Sequence, residues 1–90
     1  MFATKGVIYA RQAEVPALLE KGLIEGPIET KSFRRFDLPW RSGQDRAVKA
    51  AEKFAVKNKF DVMVYKEATI FPVDGIYELK YDFYNSPDRY

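Results

Sequence analysis

The segment Asp61–Tyr84, DVMVYKEATIFPVDGIYELKYDFY, decides the fold. Two runs rich in β-branched and aromatic residues, Asp61 to Phe71 and Ile76 to Tyr84, flank Pro72-Val73-Asp74-Gly75. Asp-Gly between such runs signals a β-hairpin, because both residues tolerate the left-handed backbone of a tight turn. In the second run Tyr77, Leu79, Tyr81 and Phe83 alternate with Ile76, Glu78, Lys80 and Asp82. That period of two predicts a strand with one buried face. A four-residue loop pairs Phe71 with Ile76, which puts Val62, Val64, Ala68 and Ile70 on the apolar face beside Tyr77, Leu79, Tyr81 and Phe83. Lys66 is the misfit there, expected at the rim with its ammonium in water.

Working back towards the N-terminus, Ser42 and Asp45 open a helix over 43–57, with Ala47, Val48, Ala51, Phe54 and Ala55 at helical spacing. Lys57 suits its last turn, and Asn58 is expected to take the left-handed closing conformation. Ile28 to Phe36 reads as a strand whose alternation fails between Phe33 and Phe36, so a bulge or strand end is expected near Arg34. Before the Glu25-Gly26-Pro27 break, Glu14 to Lys21 reads as a short helix with Pro16 in its first turn and Gly22 as its stop. Lys5 to Ala10 reads as the first strand. The order β-α-β-α-β-β predicts a single α+β domain over residues 1–90, a two-layer sandwich. Its four-stranded mixed sheet is expected to carry both helices on one face and leave the other open.

Composition narrows the chemistry. Ninety residues, 16% of them aromatic, are enough for one core, since each aromatic ring buries roughly 150–250 Å². There is no cysteine and no histidine, which removes disulfides, thiolate and imidazole metal ligands and the commonest general base. Ser32, Ser42 and Ser86 have no recognisable partner constellation, and no glycine-rich phosphate loop is present. No enzymatic activity, metal or cofactor is therefore expected. Asp61 with Glu78-Leu79-Lys80 resembles the Asp and Glu-x-Lys pattern of a family of metal-dependent nucleases. The hairpin register separates these groups: Glu78 falls opposite Thr69, and eight residues at ~3.3 Å each carry it about 26 Å from Asp61, too far to share a metal. Ile8-Tyr9-Ala10-Arg11 resembles the opening strand of serine recombinases, but Gln12, Ala13 and Glu14 stand where the nucleophilic serine is required. No apolar stretch nears the ~18 residues of a membrane span and no signal-peptide pattern opens the chain, so a cytoplasmic protein without a membrane partner is expected.

Two surfaces are candidates for a partner. Overall charge is a modest +2, but Ile28 to Ala50 holds six basic residues, Lys31, Arg34, Arg35, Arg41, Arg46 and Lys49, against Glu29, Asp37 and Asp45. Within it Lys31, Phe33, Arg34, Arg35, Trp40, Arg41 and Arg46 interleave cations and aromatics, as a stacking surface for single-stranded nucleic acid requires. The open sheet face would present Tyr65, Glu67, Lys80, Asp82 and Tyr84, with Thr69 and Glu78 between them. Its mixed charge suits a protein partner anchored by tyrosines. The sequence therefore favours a non-catalytic protein-binding module, an adaptor or small inhibitor acting by surface occlusion, with nucleic-acid binding through residues 31–46 as the alternative.

Overall fold

The computed structural model describes residues 2–4, 7–71 and 75–87. Five strands, β1 (Phe2–Thr4), β2 (Val7–Ala10), β3 (Glu25–Phe36), β4 (Val62–Phe71) and β5 (Ile76–Asn85), accompany two helices, α1 (Val15–Glu20) and α2 (Gly43–Lys57). The architecture is α+β. Four strands form a mixed sheet in the order β2-β4-β5-β3, and the three-residue β1 adds to the outer edge of β2. Of the neighbouring strands only β2 and β4 pair in parallel, and β3 runs in the same direction as both. The hairpin β4–β5 has the expected pairing of Phe71 with Ile76 and of Thr69 with Glu78. Its turn residues Pro72, Val73 and Asp74 lie outside the described residues, as do Lys5 and Gly6 of the expected first strand.

The helices begin and end for local reasons. The Ser42 hydroxyl accepts a hydrogen bond from the Asp45 amide at 3.1 Å, which sets the start of α2 where the sequence places it. Its end differs in one residue: Asn58 keeps φ −97° and donates its side-chain amide to the Phe54 carbonyl, while Lys59 takes the left-handed step at φ 60°. Short α1 stops at Gly22, whose φ of 70° lets the Gly22 and Leu23 amides turn back to the Leu19 and Leu18 carbonyls.

The expected faces of β4 need correction. Register shifts between Tyr65 and Glu67, so Lys66 is an extra residue with no direct opposite number on β5. Beyond it Met63 faces Phe83 and Tyr65 faces Tyr81, whereas Val62 and Val64 face Tyr84 and Asp82. Val62 and Val64 therefore leave the α2 side of the sheet, and only Ala68 and Ile70 stay on the face expected for them. On β3 the register runs unbroken from Glu29 to Phe36, and the irregularity lies between Glu25 and Glu29 rather than near Arg34. Phe33 consequently points at α2 and is buried, while Phe36 lies on the opposite face.

The two helices also occupy opposite faces, not one. Phe33, Met63, Leu79, Tyr81 and Phe83 pack beneath Ala47, Ala51 and Ala55 of α2, with Phe54 and Phe60 completing the cluster. Leu18 of α1 and Ile24 instead cover Ala10, Val62, Val64 and Tyr84. Strand order supplies the reason. The β2-to-β3 connection crosses the sheet in one direction and the β3-to-β4 connection returns in the other. The right-handed rule then requires opposite faces.

Both cores should register in stability. Leu79→Ala should cost about 2–5 kcal/mol and Tyr84→Ala about 3–5, against under about 1 for Lys80→Ala, in denaturant titrations. A Tyr84→Ala variant as stable as Lys80→Ala would refute the second core.

Candidate functional site

Helix α2 lies beside β3, the last strand of the sheet. Arg46, Lys49, Lys53 and Lys57 recur at spacings of three or four, so they form one stripe, ~16 Å long at ~1.5 Å per residue. Odd-numbered residues of β3 share the α2 face, which brings Lys31 and Arg35 alongside. Between them run two adjoining clefts. One, of about 440 Å³, is lined from β3 by Lys31 to Arg35 and from α2 by Ala50, Lys53, Phe54 and Lys57. The other, of about 200 Å³, is lined by Arg35, Arg41, Arg46, Lys49, Ala50 and Lys53. No carboxylate lines either cleft.

The position of this stripe is fixed from several directions. The Asp37 carboxylate accepts from the Gly43 amide, and Arg46 Nη1 donates to the Phe36 carbonyl at 2.7 Å. Gly43 sits so close to β3 that an added Cβ would lie 2.6 Å from the Arg35 carbonyl oxygen and 2.8 Å from the Tyr77 ring, so only glycine allows this approach. On the inner side of α2, Tyr9 donates its hydroxyl to the buried Glu52 carboxylate, tying the helix to β2.

Within the cleft, Lys31 places its ammonium 4.4 Å from the centre of the Phe54 ring. Arg41 Nε lies 3.4 Å from Asp45. Arg35, Arg46, Lys49, Lys53 and Lys57 make no ion pair among the described residues. Arg34 points to the opposite face, where its Nε and Nη2 reach Glu78 Oε2 at 2.9 and 2.7 Å and its guanidinium covers Phe71. Phe33 is core. Trp40 is 80% exposed in the turn before α2.

The residues expected on the open sheet face do not form a common surface. Tyr84 is only 4% exposed, sealed under α1, and Tyr65 has been carried by the Lys66 insertion to the α2 side, where its ring lies 6.0 Å from that of Tyr81. Asp82 is buried as well, accepting from the Thr30 hydroxyl and lying 3.4 Å from the Lys66 ammonium. Glu67 and Lys80 do share this face, 3.9 Å apart as a cross-strand pair. Asp61, the first carboxylate of the nuclease-like pattern, accepts from the Ser86 amide, while Glu78 is engaged by Arg34. Among the described residues no group of three or more Asp, Glu, His or Cys side chains is placed to hold a metal ion, and no helix is long and apolar enough to cross a membrane.

Sequence reading missed Lys53 and Lys57. Their signal was the i, i+4, i+8 spacing of Lys49, Lys53 and Lys57, which a helix read for its apolar side alone leaves unused. Comparison with protein-family models, with curated proteins and with solved structures finds no match.

Burial pushes the Tyr81 hydroxyl up to about 12, helped by the nearby Tyr65 and Glu52. Burial, and then the Glu52 hydrogen bond and charge, raises Tyr9 further. Unfolded tyrosines ionise near 10, so the stability these neutral phenols contribute is complete below that pH and is lost as pH rises from about 10 towards 12. The urea midpoint should fall over this window, and a Tyr9→Phe, Tyr81→Phe double variant should flatten the fall. An unaltered slope would show that neither hydroxyl is held in this way.

Proposed function

We propose that this chain is a non-catalytic binding domain that holds the phosphate backbone of a nucleic acid in the cleft between β3 and α2. The observation that carries the reading is a pair of adjoining clefts lined by lysine and arginine and by no carboxylate. Phosphates spaced along a chain match cations spaced along a helix, and each neutralised phosphate releases counterions, which makes binding favourable at low salt. Energetics support the same reading. Like charges four apart on a helix cost about 0.2–0.5 kcal/mol per pair, and α2 carries two such pairs, Lys49 with Lys53 and Lys53 with Lys57. An anionic ligand removes that penalty. Such a ligand also fits the cytoplasmic location expected from the sequence.

The protein-docking reading loses the anchors it was built on, because Tyr65 and Tyr84 lie on opposite faces and Tyr84 is buried. It keeps one observation in its favour: β3 is the last strand of the sheet, and an extended acidic segment of another protein could add beside it.

Replacing Lys49, Lys53 and Lys57 together with glutamine should leave thermal unfolding nearly unchanged. Affinity for labelled single-stranded and duplex oligonucleotides should fall at least tenfold, and the slope of log K against log salt should shrink by about 2, from ~0.7–0.9 per lost phosphate contact. Fluorescence anisotropy across a salt series measures both. No binding at low salt, or an unchanged slope in the variant, would overturn the proposal, and equal competition by polyglutamate would turn it towards an acidic protein partner.

A further inference from the structure

Trp40 is the most exposed large apolar side chain in the described residues, and it stands on a rigid support. The Leu38 amide donates to the Arg41 carbonyl at 2.8 Å and the Arg41 amide to the Leu38 carbonyl at 3.2 Å, closing a turn with Pro39 and Trp40 at its tip. Proline fixes one backbone torsion at that tip. The turn is held at its base, where the Asp37 amide donates to the Gly75 carbonyl at 2.9 Å and Arg46 reaches the Phe36 carbonyl. Trp40 has no ring contact or covering cation among the described residues.

Its neighbour Arg41 lines the smaller cleft with Arg35 and Arg46, so the turn that carries Trp40 adjoins the cationic stripe, just before the N-terminal end of α2. An exposed indole carried on a hydrogen-bonded turn next to a run of cations is matched by a flat base attached to the backbone that those cations hold. A duplex hides its base faces in its own stack. A single strand presents one with every nucleotide.

We infer that the cleft takes single-stranded rather than duplex nucleic acid, with Trp40 as the platform on which a base stacks while Arg41, Arg46 and the lysines of α2 hold the phosphates that follow. This rests on the phosphate-binding reading above and adds strand state and a named stacking residue to it. The two contributions differ in their response to salt. Phosphate contacts weaken steeply as counterions are added, whereas stacking on a ring releases none.

Trp40 is the only tryptophan in the chain, so its fluorescence reports on the platform directly. Titration with an oligothymidylate of about 12 nucleotides should quench the emission. Trp40→Ala should lower single-strand affinity about tenfold with an unchanged salt slope, and Trp40→Phe should restore most of the loss. Duplex of the same length should bind more weakly and should be indifferent to Trp40→Ala. Thermal unfolding of both variants, at so exposed a position, should match the parent. If single strand and duplex bind equally with a normal salt slope, and Trp40→Ala changes neither, the stacking inference fails while the phosphate reading stands. If neither binds at low salt, both fail. If polyglutamate quenches Trp40 and competes as well as the oligonucleotide, the cleft belongs to an acidic peptide and the inference is overturned.

Discussion

Between Tyr65 and Glu67 the β4–β5 ladder gains one residue, Lys66, and which side chains of β4 enter which of the two cores follows from that insertion. Without it Val62 and Val64 would turn to the α2 side, and Met63 and Tyr65 would turn to the face that α1 covers. With it, Met63 joins the aromatic cluster beneath α2 while the two valines and Tyr84 form a floor for Leu18 and Ile24. The insertion is anchored electrostatically. Lys66 lies 3.4 Å from Asp82, a carboxylate only 6% exposed that also accepts from Thr30. A buried carboxylate that lost its counter-charge would be costly, so one ion pair helps hold the register of the whole hairpin.

Having a helix on each face leaves the molecule lopsided in a useful way. Short α1 covers the β2–β4 end of its face, while α2 spans fifteen residues and reaches the last strand on the other. Alanines at its core positions let α2 lie close to the sheet, and the glycine at its N-terminus brings it against the backbone of β3. On the side of α2 turned towards the edge strand Phe54 packs against Phe33, and cations line the rest of it. The cleft is a by-product of close packing on the helix's inner side.

Some of this was legible in the sequence, and the reasons are local. The alternation of Leu79, Tyr81 and Phe83, the Ser42 cap and the Gly22 stop are each decided within a few residues, and each predicted its element correctly. Lys66 was visible as a misfit, but reading it as a rim residue kept the wrong parity for everything before it, because a one-residue slip moves every side chain to the other face. The same slip explains the loss of Tyr65 and Tyr84 as a pair. Which face a helix takes depends on the direction of its crossover, hence on strand order, which no local pattern carries. Of the basic and aromatic stretch, Arg35, Arg41 and Arg46 do converge. Phe33 shares that face but is buried in the core, and Arg34 points to the other side, since neighbouring strand residues alternate.

The edges of the sheet differ in length, and that difference bears on how copies of the chain behave towards each other. On one side the sheet stops at a strand of three residues, too short to template much further pairing. On the other it stops at β3, twelve residues long. Two molecules meeting there edge to edge would bring Lys31, Arg34 and Arg35 of each against the same cations of the other, and the lysines of α2 would close in behind them. Mutual repulsion of this kind is how natural sheets keep a long edge from growing into an aggregate. The charges that line the cleft therefore also oppose the pairing of this edge with a second copy of itself.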